Sequence, residues 1–133
     1  MSNSDIVRSI IEVWNHRDLS TIDRFVHPNH VSHGPTDDQF PQGIEGQRVF
    51  VRTFLAAFPD VEAEITDIYE QDDFVDADVT YRGTHQGELM GIPATGRRVT
   101  VHVHTRDRIA NGKIVESWAE WDPNDMMRQL GVG

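Results

Sequence analysis

The stretch RRVTVHVHTRDRIANGKIVESWAEW, Arg97 to Trp121, changes character residue by residue on either side of Asn111-Gly112. Alternation with a period of two marks a half-buried strand, so the stretch reads as a hairpin of two strands, Arg97–Ile109 and Ile114–Trp121. On the first strand the odd positions Val99, Val101, Val103, Thr105 and Ile109 are mostly apolar. The even positions Arg98, Thr100, His102, His104, Arg106 and Arg108 are polar. On the second strand Val115, Ser117, Ala119 and Trp121 are small or apolar, and Glu116 and Glu120 fall between them. Odd residues of both strands are therefore expected to face the core. A two-residue Asn-Gly loop would pair odd with even and bury one strand's charges. A three-residue loop, Ala110 to Gly112, keeps odd opposite odd, with Gly112 in the left-handed position. That register predicts Arg106 beside Glu116, His102 beside Glu120, and Thr105 beside Ser117 on the inner face.

Working outward, Val75, Ala77, Val79 and Tyr81 form another strand face, and Val61, Ala63 and Ile65 a third. Before Pro59 the period changes to helical. Ile6, Val7, Ile10, Ile11 and Trp14 predict a helix over Asp5–His16 capped by Ser2 or Ser4. A second helix is expected over Ser20–Val26, then a short extended segment Val31–His33 and a Gly/Pro/Asp-rich loop Gly34–Gly43. A third helix over Glu45–Phe58 stops at Pro59. A closing helix, Asn124–Leu130, ends at Gly131, with Asp122 as its N-cap and Pro123 in its first turn. Helices first and a meander of strands afterwards predict an α+β fold, with helices on one face of an antiparallel sheet.

The chain has 133 residues, the size of one domain, and 1–133 is read as a single unit. Twelve basic residues against 22 acidic ones give a formal charge of −10. That field repels phosphate backbones and anionic membranes, so neither nucleic acid nor membrane is an expected partner. With no cysteine, disulfides and thiolate metal sites are excluded. No apolar run approaches the roughly 20 residues of a membrane span, and Met1–Ser4 is polar, so the expected compartment is the cytoplasm.

From Asp5 to Gly131 the sequence resembles the SnoaL-like polyketide cyclases and ester cyclases. The resemblance rests on Gly83-Thr84-His85-Gln86-Gly87-Glu88, Gly91-Ile92-Pro93, Thr95-Gly96-Arg97-Arg98, Gly112-Lys113-Ile114-Val115-Glu116 and Gln129-Leu130-Gly131. It implies the nuclear-transport-factor-like cone, a curved sheet wrapped around N-terminal helices with one central pocket. It also implies dimers through the sheet's outer face, and intramolecular aldol ring closure with no metal or organic cofactor. In those cyclases an aspartate on the last strand transfers the proton and a histidine on the preceding strand assists. Those positions fall on Ala119 and Thr105, and the family's His-Trp-Asp run reads Ser117-Trp118-Ala119.

Two histidines are the expected acid/base groups, because imidazole titrates near neutral pH. His85 continues the inward parity of Val79 and Tyr81, and His33 stands where family members commonly carry histidine. Trp14, Phe54, Phe58, Met90 and Trp121 are expected around the pocket, with Tyr81, Val103, Thr105, Ser117 and Ala119 on its sheet side. The small residues among these leave room for a small organic ligand. His102 and His104 share the outer face with Trp118 and Glu120, a patch suited to a homodimer contact, and no metal is assigned to it. The function expected is cofactor-independent acid/base chemistry, aldol cyclisation or isomerisation, on a small apolar carbonyl compound. The competing expectation is a binding protein that lost its reactive groups at Thr105 and Ala119.

Overall fold

The computed structural model describes residues 1–132; Gly133, the end of the expected domain, lies outside the described residues. The chain opens on α1 (Asn3–Ile11) and α2 (Val13–His16). Ser2 and Asp5 form a reciprocal capping box at the start, the cap that the serines predict. The expected single helix is interrupted at Glu12, and α2 ends where Arg17 turns left-handed (φ 61°). Then come α3 (Ser20–Phe25) and β1 (Val26–His33). The strand is longer than Val31–His33 and takes Val26 from the predicted helix. His27-Pro28-Asn29-His30 has no apolar alternation, and pairing with a neighbouring strand decides its conformation instead.

The loop after β1 contains a single 3-10 turn, Asp37–Gln39, and leads into α4 (Gly43–Ala57). Gly46 lets α4 pass close to that loop, since a Cβ there would lie 1.7 Å from the Pro41 carbonyl oxygen. The remainder is β2 (Glu62–Gln71), β3 (Phe74–Thr84), β4 (Arg98–Ala110), β5 (Lys113–Glu120) and α5 (Pro123–Leu130). Asp122 caps α5 by accepting from the backbone N–H groups of Asn124 and Asp125, and Gly131 closes it at φ 80°.

The strands form one curved, unclosed sheet in the order β1-β5-β4-β3-β2. All neighbours are antiparallel except β1 and β5, which run parallel. The helices cover the inner face. Ile6, Val7 and Ile11 of α1 pack on Val75, Ala77 and Val79 of β3. Phe54 and Ala57 of α4 meet Met126 and Leu130 of α5 over Val99.

Beyond Val115 the hairpin keeps its expected faces but not its register, and it is Ile114, not Val115, that packs inward at the start of β5. Ala110 pairs with Lys113 across a two-residue turn, with Asn111 and Gly112 both at positive φ (53° and 76°). This is the turn whose twist matches the strands. It would invert the parity, but Val115 is left unpaired as a bulge, and beyond it Arg108 faces Glu116. Turn and bulge together restore odd opposite odd, displaced by two residues from the three-residue loop. Arg106 therefore pairs with Trp118, His104 with Glu120, Thr105 with Ala119, and Asp107 with Ser117.

Candidate active site

A cavity of about 220 Å³ lies between the inner face of the sheet and α1, α2 and α4. Its walls are mainly apolar, from Trp14, Val101, Val103 and Trp121 among others. Polar groups collect toward one side, where Thr105, Asp107, Ser117 and His30 line it. Asp107 is the centre of this group. It sits on the inner face of β4 and is 9 % exposed. Ser117, directly across on β5, donates its hydroxyl hydrogen to Asp107 Oδ1. His30, on β1 and 2 % exposed, places Nε2 2.8 Å from the same Ser117 oxygen. One hydrogen-bonded row thus crosses three adjacent strands.

Burial inverts the basicities of its two ends. It pushes the Asp107 carboxyl up to about 6; the Ser117 hydrogen bond opposes this, and the charge of Asp76 adds to it. Burial pulls the His30 imidazole down to about 4, against the attraction of Asp37 and Glu116. In water a histidine holds its proton more tightly than an aspartate; here the carboxylate does. Two further hydroxyls line the same cavity. Thr105 Oγ1 is buried and has no partner among the described residues. The Tyr81 phenol is pushed above its ordinary range, first by burial and then by the charge of Asp107, and so stays a donor at neutral pH.

A mainly apolar chamber with one carboxylate tuned towards neutrality, beside unspent hydroxyl donors, suits proton transfer at carbon without a cofactor. The comparisons with known proteins point the same way. The family model for SnoaL-like polyketide cyclases matches residues 4–130. The chain belongs to the SnoaL-like polyketide cyclases. It is 32% identical over 132 residues to the aklanonic acid methyl ester cyclase DnrD of Streptomyces peucetius, covering 96% of this chain and 89% of the relative. It is 27% identical to the nogalonic acid methyl ester cyclase of Streptomyces nogalater, over 92% of each chain. Among solved structures, wild-type IdmH of Streptomyces antibioticus superposes with a TM-score of 0.83 at 34% identity, over 99% of this chain and 100% of that one.

Against this SnoaL-like background the site residues fall as follows. Ala119 and Thr105, the positions to which the resemblance assigns the family's reactive pair, face each other across one rung on the cavity wall. Asp107 and Ser117 occupy the next rung, about 6.7 Å further along the strands. Trp14, Tyr81, Val103, Thr105, Ser117, Ala119 and Trp121 all line the cavity. Phe54 and Phe58 do not; they lie in the packed cluster behind it, Phe54 against Phe50 and Trp121. Met90 is 40 % exposed, on the turn after Leu89.

The two histidines expected to titrate stand outside the cavity lining. His33 follows the outward parity of Val31; its Nε2 lies 2.7 Å from Glu116 and its ring stacks on Trp118 at 5.4 Å. His85 is fully buried against Phe58, where Nδ1 accepts from the Thr95 backbone N–H at 3.2 Å and holds the Gly91–Gly96 turn. Its strand parity is inward, but it lies beyond Gly83, where the sheet has left the chamber for the α4–α5 cluster. Asp107 and His30 are missing from the residues that the sequence singles out. Asp107 shares the parity of Val103 and Thr105, and a lone acid on that face is the signal that marks it.

On the outer face His104 is held between two carboxylates, Nδ1 2.8 Å from Asp78 and Nε2 3.3 Å from Asp76, and the Asp78 hydrogen bond raises its pKa. His102 bonds Thr80 at 3.0 Å. Among the described residues no helix is long and apolar enough to cross a membrane.

Proposed function

We propose that this chain catalyses a cofactor-independent intramolecular aldol cyclisation of a small, mainly apolar carbonyl compound, with Asp107 as the proton-transferring group. The observation that carries this reading is a cavity-lining carboxylate raised to about 6. A base with that pKa is ionised at neutral pH yet strong enough to remove a proton activated by a neighbouring carbonyl. Asp107 takes the proton from the carbon between two carbonyls. The resulting enolate carbon attacks a third carbonyl of the same molecule, forming the new C–C bond, and that carbonyl's oxygen becomes an alkoxide. Protonated Asp107 returns its proton to that oxygen. The product is an isomer of the substrate, so no oxidant, reductant or co-substrate is needed. The Thr105 and Tyr81 hydroxyls supply donors for the oxygens that gain charge.

The substrate is best read as an ester rather than a free acid. The lining includes Asp37 and Asp107 and, among the described residues, no lysine or arginine. A carboxylate entering an apolar chamber with two acids and no cation would go unpaired, at a cost that esterification removes. The relatives' names, which specify methyl esters, agree with this. The test is turnover of a methyl ester that carries an active methylene between two carbonyls and a further ketone placed for six-membered ring closure by aldol addition. Asp107→Asn should lower kcat by about 10²- to 10⁴-fold, while His33→Ala and His85→Ala variants that remain folded stay near the natural rate. Full turnover by Asp107→Asn would overturn the assignment.

We further infer a cytoplasmic homodimer built on the outer sheet face. Trp118 stacks on His33 and lies tilted against Phe74 there, and the Arg106 guanidinium lies 4.5 Å from the Phe74 ring. A half-buried aromatic run of this kind, flanked by His102, His104 and Glu120, suits burial against a second copy. Trp118→Asp should dissociate it in sedimentation at micromolar concentration; a natural protein that sediments as a monomer would refute the dimer.

A further inference from the structure

The role of His30 follows from counting hydrogens in the row of three side chains. The Ser117 hydroxyl has one hydrogen, and it goes to Asp107. At 2.8 Å from His30 Nε2, the Ser117 oxygen can then only accept, so Nε2 must carry the imidazole hydrogen. The other ring nitrogen, Nδ1, is buried with no partner among the described residues. In this tautomer it is a bare lone pair, and a buried acceptor left unpaired is tolerated more readily than a buried N–H. Two independent observations therefore specify one tautomer.

We propose that His30 is a positioning residue for Asp107: a neutral imidazole that, through Ser117, turns a hydroxyl hydrogen onto Oδ1 and leaves Oδ2 to meet the substrate. Without the His30 donor the Ser117 hydroxyl is free to rotate away, and Asp107 loses the hydrogen bond that stabilises its ionised form. The surroundings favour the neutral imidazole. Burial outweighs the nearby Asp37 and Glu116, with His27 and His33 on its own strand adding to the downward pull. Around Asp107 the charged or titratable neighbours are Asp76 and Tyr81 on β3. The cavity lining from α1, α2, α3 and α4 contains no titratable side chain; Gln47 is its polar contribution. With the imidazole less basic than the carboxyl, the proton taken from substrate stays on Asp107 and is not passed along the row.

This inference rests on Asp107 being the base, and the experiment separates the two. In the natural protein, ¹⁵N NMR of the histidine rings should show His30 neutral with its hydrogen on Nε2 at pH 7. A hydrogen on Nδ1, or a cationic ring, would overturn the proposal with no variant involved. The Asp107 carboxyl, followed by ¹³C NMR and assigned by its loss in Asp107→Asn, should titrate near 6. In His30→Phe that midpoint should rise by about one pH unit, the worth of a weakened hydrogen bond. In His30→Gln, whose amide can still donate to Ser117, it should stay near the natural value. In the cyclisation assay the acidic limb should move with the midpoint, and kcat should fall in His30→Phe with KM unchanged. An unmoved midpoint in His30→Phe, or equal shifts in the Phe and Gln variants, would refute positioning. Full turnover by Asp107→Asn would instead remove the base and leave the NMR result to stand alone.

Discussion

Replacing Asp107 with asparagine should change how the stability of the fold responds to pH, in a direction opposite to that of most buried acids that gain a partner. Folding raises the Asp107 carboxyl from 3.8 to about 6. Between those values the native state binds more protons than the unfolded chain, so this group's contribution to stability falls as pH rises. The difference is roughly 2 units, or about 3 kcal/mol. Folding lowers His30 from 6.5 to about 4, so the native state there binds fewer protons. Its contribution is lost in acid and gained as pH rises through the same interval, also by about 3 kcal/mol. In the natural protein the two nearly cancel. Asp107→Asn leaves only the His30 contribution, and its stability relative to the natural protein should climb by about 3 kcal/mol between pH 4 and 6. Urea denaturation at half-unit pH intervals reads this directly, since every other titrating group is common to both proteins. Any constant cost of burying the new amide drops out of the slope. A flat difference curve would mean that Asp107 titrates at its ordinary value, which would remove the physical basis of the proposed base.

Two further outcomes follow from the rung geometry and the loop packing. Ala119→Asp in an Asp107→Asn background returns a carboxylate to the same wall one rung away, and should recover cyclisation to at least about tenfold above the single variant; no recovery in a folded, ligand-binding protein would mean the substrate's acidic carbon does not reach position 119. Gly46→Ala drives a methyl group into the Pro41 carbonyl, which should lower stability by about 1–3 kcal/mol in urea denaturation; an unchanged midpoint would show that the loop yields freely.

The α+β class, the inward parity of the long hairpin and the caps at Ser2 and Asp122 are legible in the sequence because each depends on near neighbours. The register is not, because a two-residue turn with a bulge and a three-residue loop put the same residues on the same faces. Parity alone cannot separate them, and opposite charges were available for pairing at either offset. The chemistry is only half legible. Thr105, Ser117 and Ala119 follow from alternation, but Asp107 sits among arginines at 106 and 108, where an acid reads as part of a charged exterior. His30 is harder still: its strand exists because β5 lies beside it, and no local pattern announces that pairing. His33 and His85 carry the residue type that the chemistry suggests, yet position relative to a remote cavity is a tertiary property that strand parity cannot supply.

The unpaired Val115 sets the phase of everything that follows it on β5. Were Val115 drawn into the ladder opposite Arg108 instead of bulging out of it, the Asn-Gly turn would stay intact and residues 116–120 would rotate by half a period. Glu116, Trp118 and Glu120 would then point into the chamber, while Ser117 and Ala119 would point to solvent. Asp107 would lose its hydroxyl and gain glutamates for company. Few point substitutions could rewrite so much of a binding site, and the hydrophobic composition of the chain would scarcely record it. In this fold the identity of the cavity wall is therefore stored partly in one residue of β5 standing outside the ladder: deletion of Val115 would keep the wall as it is, whereas pairing it would exchange one chemistry for another at unchanged length.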